Sequence, residues 1–181
     1  KTLSNIGVDT MVELGKTMGI TTWGNRKHGL SITLGAADVK MIDLAQVYGV
    51  LANGGIKKNI TPIIRITNYK EDVVETLSRF DTGEHVLPQS VAFIISDILA
   101  DNKAREMEFG TNSPLKIDQV KVSVKTGTSD NKRDNWTIGY TKDVVVATWV
   151  GNFNNSPMHQ SLASGITGAA PMWRRIMLYL L

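Results

Sequence analysis

Residues 119–128, 135–141 and 144–150 read as three β-strands in close succession, with the tight turn Thr141-Lys142-Asp143 between the last two. A connection that short joins antiparallel neighbours, because a parallel crossover consumes a dozen or more residues. A loop over 151–168 then leads to a helix over 170–180. In it Trp173, Ile176, Met177 and Leu180 recur at helical spacing and predict packing on the sheet.

The first 118 residues read as mainly helical. One helix falls within residues 1–20: Asp9 or Thr10 caps it, and Thr10 with Glu13 has capping-box spacing. Met11, Leu14 and Met18 turn inward, and Gly19 stops the helix. A loop over 19–29 is rich in Gly, Thr and Asn. A stronger helix over 39–52 carries the stripe Met41, Leu44, Ala45, Tyr48 and Leu51, closed by Asn53-Gly54-Gly55. Near 61–80 the pattern becomes a hairpin: Ile63, Ile64 and Ile66, then Val73, Val74 and Leu77, flank Asn68-Tyr69-Lys70-Glu71-Asp72. Pro88 opens a third helix to about residue 102, with Val91, Ile94, Ile95, Ile98 and Leu99 inward. Residues 103–118 are polar and read as irregular. Helices followed by an antiparallel meander make an α+β chain, an antiparallel sheet flanked by helices in one domain over 1–181.

Composition removes several function classes. The 20 Lys and Arg against 17 Asp and Glu give a net charge of only +3, and they are scattered, which argues against a nucleic-acid partner. The absence of Cys excludes a thiol nucleophile, a cysteine zinc site and a disulfide scaffold. An apolar fraction of 42% suffices for a core, and the longest apolar run, 144–150, is too short to span a bilayer. His28, His85 and His159 are dispersed without a second ligand at metal spacing and read as exposed loop residues.

The informative segment is Lys125-Thr126-Gly127-Thr128. On a strand Thr126 and Thr128 share a face, and two hydroxyls beside a lysine can hold a carboxylate. Gly127 lets another backbone or a ligand come close. The same residues also suit a plain edge strand with solvent-facing threonines and a solubilising lysine.

In sequence these residues resemble the Lys-Thr-Gly element of penicillin-binding proteins and serine β-lactamases. The surroundings resemble class A penicillin-binding proteins in particular. Downstream lie Arg133-Asp134-Asn135-Trp136, Gly139-Tyr140-Thr141 and Val145-Val146-Ala147-Thr148-Trp149-Val150-Gly151-Asn152. Upstream lie Leu34-Gly35, Asp43-Leu44-Ala45-Gln46-Val47-Tyr48 and Ala52-Asn53-Gly54-Gly55; Thr167-Gly168-Ala169-Ala170-Pro171-Met172-Trp173 closes the chain. The stretch from Asn152 to Met158 leans toward the 1C-like branch. The resemblance spans nearly all of the chain, in order.

It implies an incomplete serine β-lactamase/D,D-transpeptidase-like fold, the C-terminal portion of a transpeptidase domain. The implied reaction is cross-linking of D-Ala-D-Ala stem peptides of peptidoglycan through a serine acyl-enzyme, the step that β-lactams block. By the same resemblance Lys125 tunes the electrostatics of the site, and Thr126 and Thr128, beside Gly127, hold the substrate or drug carboxylate. The Thr128 backbone N–H serves as one oxyanion donor. The stem peptide adds in extended form beside the strand. No metal or organic cofactor is implied, and the parent protein is expected at the extracytoplasmic face of the cytoplasmic membrane, anchored by a segment outside this chain.

Two further motifs of the family, Ser-x-x-Lys and Ser-x-Asn, have literal matches here that read as decoys. Ser113-Pro114-Leu115-Lys116 sits in the irregular stretch rather than at a helix start, and Ser129-Asp130-Asn131 merely continues the Lys-Thr-Gly strand. The functional copies are expected upstream of Lys1, so the chain alone is expected to be inactive. The strand over 144–150 is then expected to have a free apolar side, paired with the N-terminal part of the domain or with a second copy. A degenerate transpeptidase-fold binding module is the alternative from another class; a β-lactamase or β-lactam sensor fits the segments around Gln46 and Arg133 poorly.

Trp136 and Trp149 read as core rather than as a ligand platform. Asp134 reads as a turn residue or as a charge near the cleft, and Arg174-Arg175 as a solvated helix face.

Overall fold

The computed structural model describes residues 1–24, 27–76, 82–159, 164 and 166–181. Helices α1 (Thr2–Ile6) and α2 (Val8–Met18) precede a 3₁₀ turn (Leu30–Leu34) and α3 (Met41–Ala52). Short strands β1 (Ile56–Lys57), β2 (Arg65–Thr67), β3 (Val73–Thr76) and β4 (Glu84–His85) follow, then α4 (Gln89–Ala100) and α5 (Asn102–Phe109). The C-terminal unit is β5 (Ser123–Thr128), β6 (Asp134–Tyr140), β7 (Val145–Gly151) and α6 (Ala169–Leu180).

β5, β6 and β7 form an antiparallel sheet in that order, as the short connections require. The remaining strands make two-stranded pairs, β1 with β4 and β2 with β3. One face of the main sheet packs on α6: Val124 and Val146 join Ala170, Trp173 and Met177 in a core that also buries Leu115, Ile117 and Val122. Ile176 and Leu180, expected on the sheet, stay substantially exposed. The other face meets α3 and α4. A second core unites Leu3, Val12, Ile20, Trp23 and Ile32.

The helices depart from their sequence reading in instructive ways. The N-terminal helix is two helices, broken at Gly7, whose φ of 88° lies outside helical space. Gly7 is therefore the N-cap of α2, and neither Asp9 nor Thr10 caps it. The buried face of α2 is Val12, Gly15 and Met18, with Leu14 exposed, because Trp23 lies across Gly15. In α3 the residues most buried are Asp43 and Val50, outside the expected stripe.

α4 is turned away from its sequence reading, with Leu99 alone of the expected stripe half-buried. Ala92, Ser96 and Ala100, at i, i+4 and i+8, face the protein, while Val91, Ile94, Ile95 and Ile98 stand exposed. The polar tie explains the choice: Ser123 Oγ donates to the Ser96 carbonyl at 2.7 Å, and Ser96 Oγ shares a 2.8 Å hydrogen bond with Tyr140 Oη.

Residues 103–109, read as irregular, belong to α5, which begins at Asn102. Asp101 caps it through Ala104 N–H at 3.0 Å, and Gly110 ends it. The 61–80 hairpin is present as β2–β3, closed by Asn68 N–H to the Asp72 carbonyl at 2.9 Å; Leu77 lies outside the described residues. β5 begins at Ser123 rather than at residue 119. Both β5 and β7 are sheet edges among the described residues. Among those residues no helix is long and apolar enough to cross a membrane.

Candidate active site

The outer edge of β5 borders a cleft of about 600 Å³. Lys125, Thr126, Gly127 and Thr128 all line it, so the structure brings the four residues singled out in the sequence to one surface. The register explains how. Thr126 pairs with Thr137 and Thr128 with Asn135, which puts both threonines on one face. Lys125 pairs with Ile138 and belongs to the opposite face, so lysine and threonines meet only because β5 is an edge that side chains of either face can overhang. Lys125 Nζ donates to the Thr126 carbonyl.

Trp136 pairs with Gly127 and is half-buried, lining the cleft instead of filling the core. A Cβ on Gly127 would sit 3.8 Å from Trp136 Cβ, in ordinary van der Waals contact. Counting pairs back from the β5–β6 turn, with Thr128 opposite Asn135, puts this tryptophan opposite Gly127, on the same face as the lysine. Trp149 is likewise half-buried, 6.4 Å from the Trp136 ring centroid, and its Nε1 donates to Asp134 Oδ1 at 3.0 Å. Asp134 lines the cleft and also ties the turn: Ser129 Oγ donates to its Oδ2, and its own N–H donates to Ser129 Oγ, both at 2.8 Å.

The opposite wall comes from α2, the loop after it, the 3₁₀ turn and α3, through Met11, Trp23, Ile32, Leu44 and Tyr48. Tyr48 packs edge to face on Tyr140, ring centroids 5.9 Å apart. Burial, with a smaller contribution from Tyr140, pushes the Tyr48 hydroxyl up to about 12. One wall therefore presents a cation, hydroxyls and strand backbone; the other is mainly apolar and aromatic, with Thr33 and Asp38 also lining the cleft. An extended chain ending in a carboxylate fits that division.

The literal motif matches stand elsewhere or are otherwise engaged. Ser113 accepts from Leu115 N–H at 3.2 Å and lies with Lys116 in a separate hollow beside Arg174. Lys116 pairs with Asp118 at 3.6 Å, and Arg174 Nη1 donates to the Lys116 carbonyl, which ties α6 to this turn. Ser129 lines the cleft, but its hydroxyl serves the turn with Asp134. His28 is half-buried, with Nε2 fully enclosed near Trp23, not the exposed loop residue expected.

Residues 1–178 match the penicillin binding protein transpeptidase domain. The chain belongs to that family. It is 29% identical over 171 residues to penicillin-binding protein 1A of Aquifex aeolicus, covering 94% of this chain but 22% of that protein. Penicillin-binding protein 1A from Haemophilus influenzae shares the fold with a TM-score of 0.82 at 20% identity, over 99% of this chain and 32% of its own. Penicillin-binding protein A from M. tuberculosis, solved as an imipenem acyl-enzyme complex, aligns with a TM-score of 0.71 at 20% identity, over 95% of this chain and 42% of that one. The chain thus spans between a fifth and a half of the length of these transpeptidase relatives. The α+β reading and the Lys-Thr-Gly recognition agree with this membership.

Proposed function

We propose that this chain forms the Lys-Thr-Gly wall of a serine D,D-transpeptidase that cross-links peptidoglycan stem peptides and is acylated by β-lactams. The reading rests on one observation: Lys125, Thr126 and Thr128 line a cleft along a strand edge left unpaired among the described residues, facing a mainly apolar wall. A stem peptide lies antiparallel or parallel to β5, its terminal carboxylate on the Thr126 and Thr128 hydroxyls. Lys125 supplies the positive field, and the Thr128 N–H stabilises the oxyanion. A serine from outside these residues attacks the D-Ala-D-Ala carbonyl. The terminal D-Ala leaves, and an amine of a second stem peptide then displaces the serine. Such chemistry belongs outside the cytoplasmic membrane, where peptidoglycan is built.

The test is covalent labelling of the full-length protein by a fluorescent penicillin. Label should attach to a serine outside residues 1–181, and Lys125→Ala should slow labelling at least about a hundredfold. Label on Ser113 or Ser129, or unchanged labelling of Lys125→Ala, overturns the reading. No labelling at all favours a binding module of the same fold.

A further inference from the structure

Asn135 is a fully buried polar residue near the start of β6, and its hydrogen bonds run in two directions. Oδ1 accepts from Ala169 N–H at 2.8 Å, the first residue of α6. Nδ2 donates to Thr128 Oγ1 at 3.4 Å. The amide's orientation is not free. A backbone N–H can only donate, so Oδ1 must face Ala169, and the NH₂ group is thereby aimed at Thr128. Gly168 belongs to the same arrangement: a Cβ there would stand 2.7 Å from Asn135 Oδ1.

A hydroxyl that accepts from an amide N–H has its own proton left to give. Thr128 is exposed and lines the cleft. We propose that Asn135 is a positioning residue: by donating to Thr128 Oγ1 it orients the threonine hydroxyl so that its proton points to the ligand carboxylate. The proposal rests on the reading of Thr128 as a carboxylate-binding group. It gives α6, on the far face of the sheet, a part in ligand binding. The helix N-terminus fixes the amide, and the amide fixes the hydroxyl.

The discriminating variant is Asn135→Asp. A carboxylate still accepts from Ala169 N–H and suits a helix N-terminus, but it cannot donate. The Thr128 hydroxyl would then turn its proton inward. The second-order rate of penicillin acylation is measured for the full-length protein, Asn135→Asp, Thr128→Val and the double variant, with circular dichroism to establish folding. Asn135→Asp is expected to slow acylation about tenfold, and to add less than about twofold once Thr128 is Val. If Thr128→Val is slow but Asn135→Asp is as fast as the parent, the positioning role is overturned while the carboxylate role of Thr128 stands. A loss that persists undiminished in the Thr128→Val background comes from the new charge or from the fold, and also overturns it. If Thr128→Val itself acylates normally, the underlying reading fails. Should Asn135→Asp not fold, Gly168→Ala decides, because its Cβ would stand 2.7 Å from Asn135 Oδ1 and displace the amide. It is expected to slow acylation with Thr128 present and to add less than about twofold once Thr128 is Val, whereas an unchanged rate overturns the positioning role.

Discussion

Gly139 is the socket for Trp173. A Cβ on Gly139 would lie 2.5 Å from the indole Cζ2 and 2.9 Å from the Ser123 carbonyl, so neither helix nor neighbouring strand leaves room for a methyl. The fully buried Trp173 is the centre of the core between the main sheet and α6.

Gly139→Ala is accordingly expected to destabilise the protein by about 1–3 kcal/mol, through displacement of α6 rather than through backbone strain. Chemical denaturation of the two proteins, followed by tryptophan fluorescence, checks it; an unchanged midpoint would show that the helix yields without cost.

Alkaline pH should act through Tyr48. Its hydroxyl titrates near 10 when unfolded and near 12 when folded. The folded state therefore holds its proton more tightly, and the stabilisation is intact below pH 10 and lost as pH climbs toward 12. Two pH units correspond to about 2–3 kcal/mol. Tyr48→Phe should flatten the stability profile over that window; an equally steep fall in the variant would assign it to other groups.

Asp43 anchors the chain ahead of α3. Its Oδ2 accepts both Thr21 N–H and Thr21 Oγ1 at 2.7 Å, and the side chain is buried in the first turn of the helix. Asp43→Ala is expected to cost about 1–3 kcal/mol, and Asp43→Asn less, because an amide oxygen still accepts. Thermal denaturation of the pair gives the order directly.

The β2–β3 hairpin depends on one side chain. Asn68 Oδ1 accepts from Lys70 N–H at 2.8 Å and Asp72 N–H at 3.0 Å. Asn68→Ala should raise amide exchange locally over 65–76 by about tenfold while leaving the global unfolding midpoint within about a degree. Exchange rates that stay unchanged would place the turn's stability elsewhere.

What could be read from sequence follows the range of the interactions involved. The Asn68–Asp72 turn and the strand succession up to Gly151 are written in residues a few positions apart, and they were legible. The face of α4 was not: Val91, Ile94, Ile95 and Ile98 look like a core stripe, and only the distant Ser123 and Tyr140 select the small face instead. Helix α5 was missed because few of its residues are apolar, although Asp101 and Gly110 mark its two ends. Within the cleft, Lys125 to Thr128 were legible as a motif, whereas Trp136 and Asn135 needed the β5–β6 register. No local pattern announces an asparagine that bonds a helix 34 residues further along.

The close approach of α4 to β5 has a mechanical side. Ala92 and Ala100 are buried with almost no side chain of their own, and Ser96 sets the separation by its bond to Ser123. Two residues beyond Ser123 comes Lys125. The helix works as a shim under the strand. Bulk added where Ser96 meets Ser123 would register as a shift in where a positive charge stands, so the tolerance of the cleft is set in part by residues outside its lining.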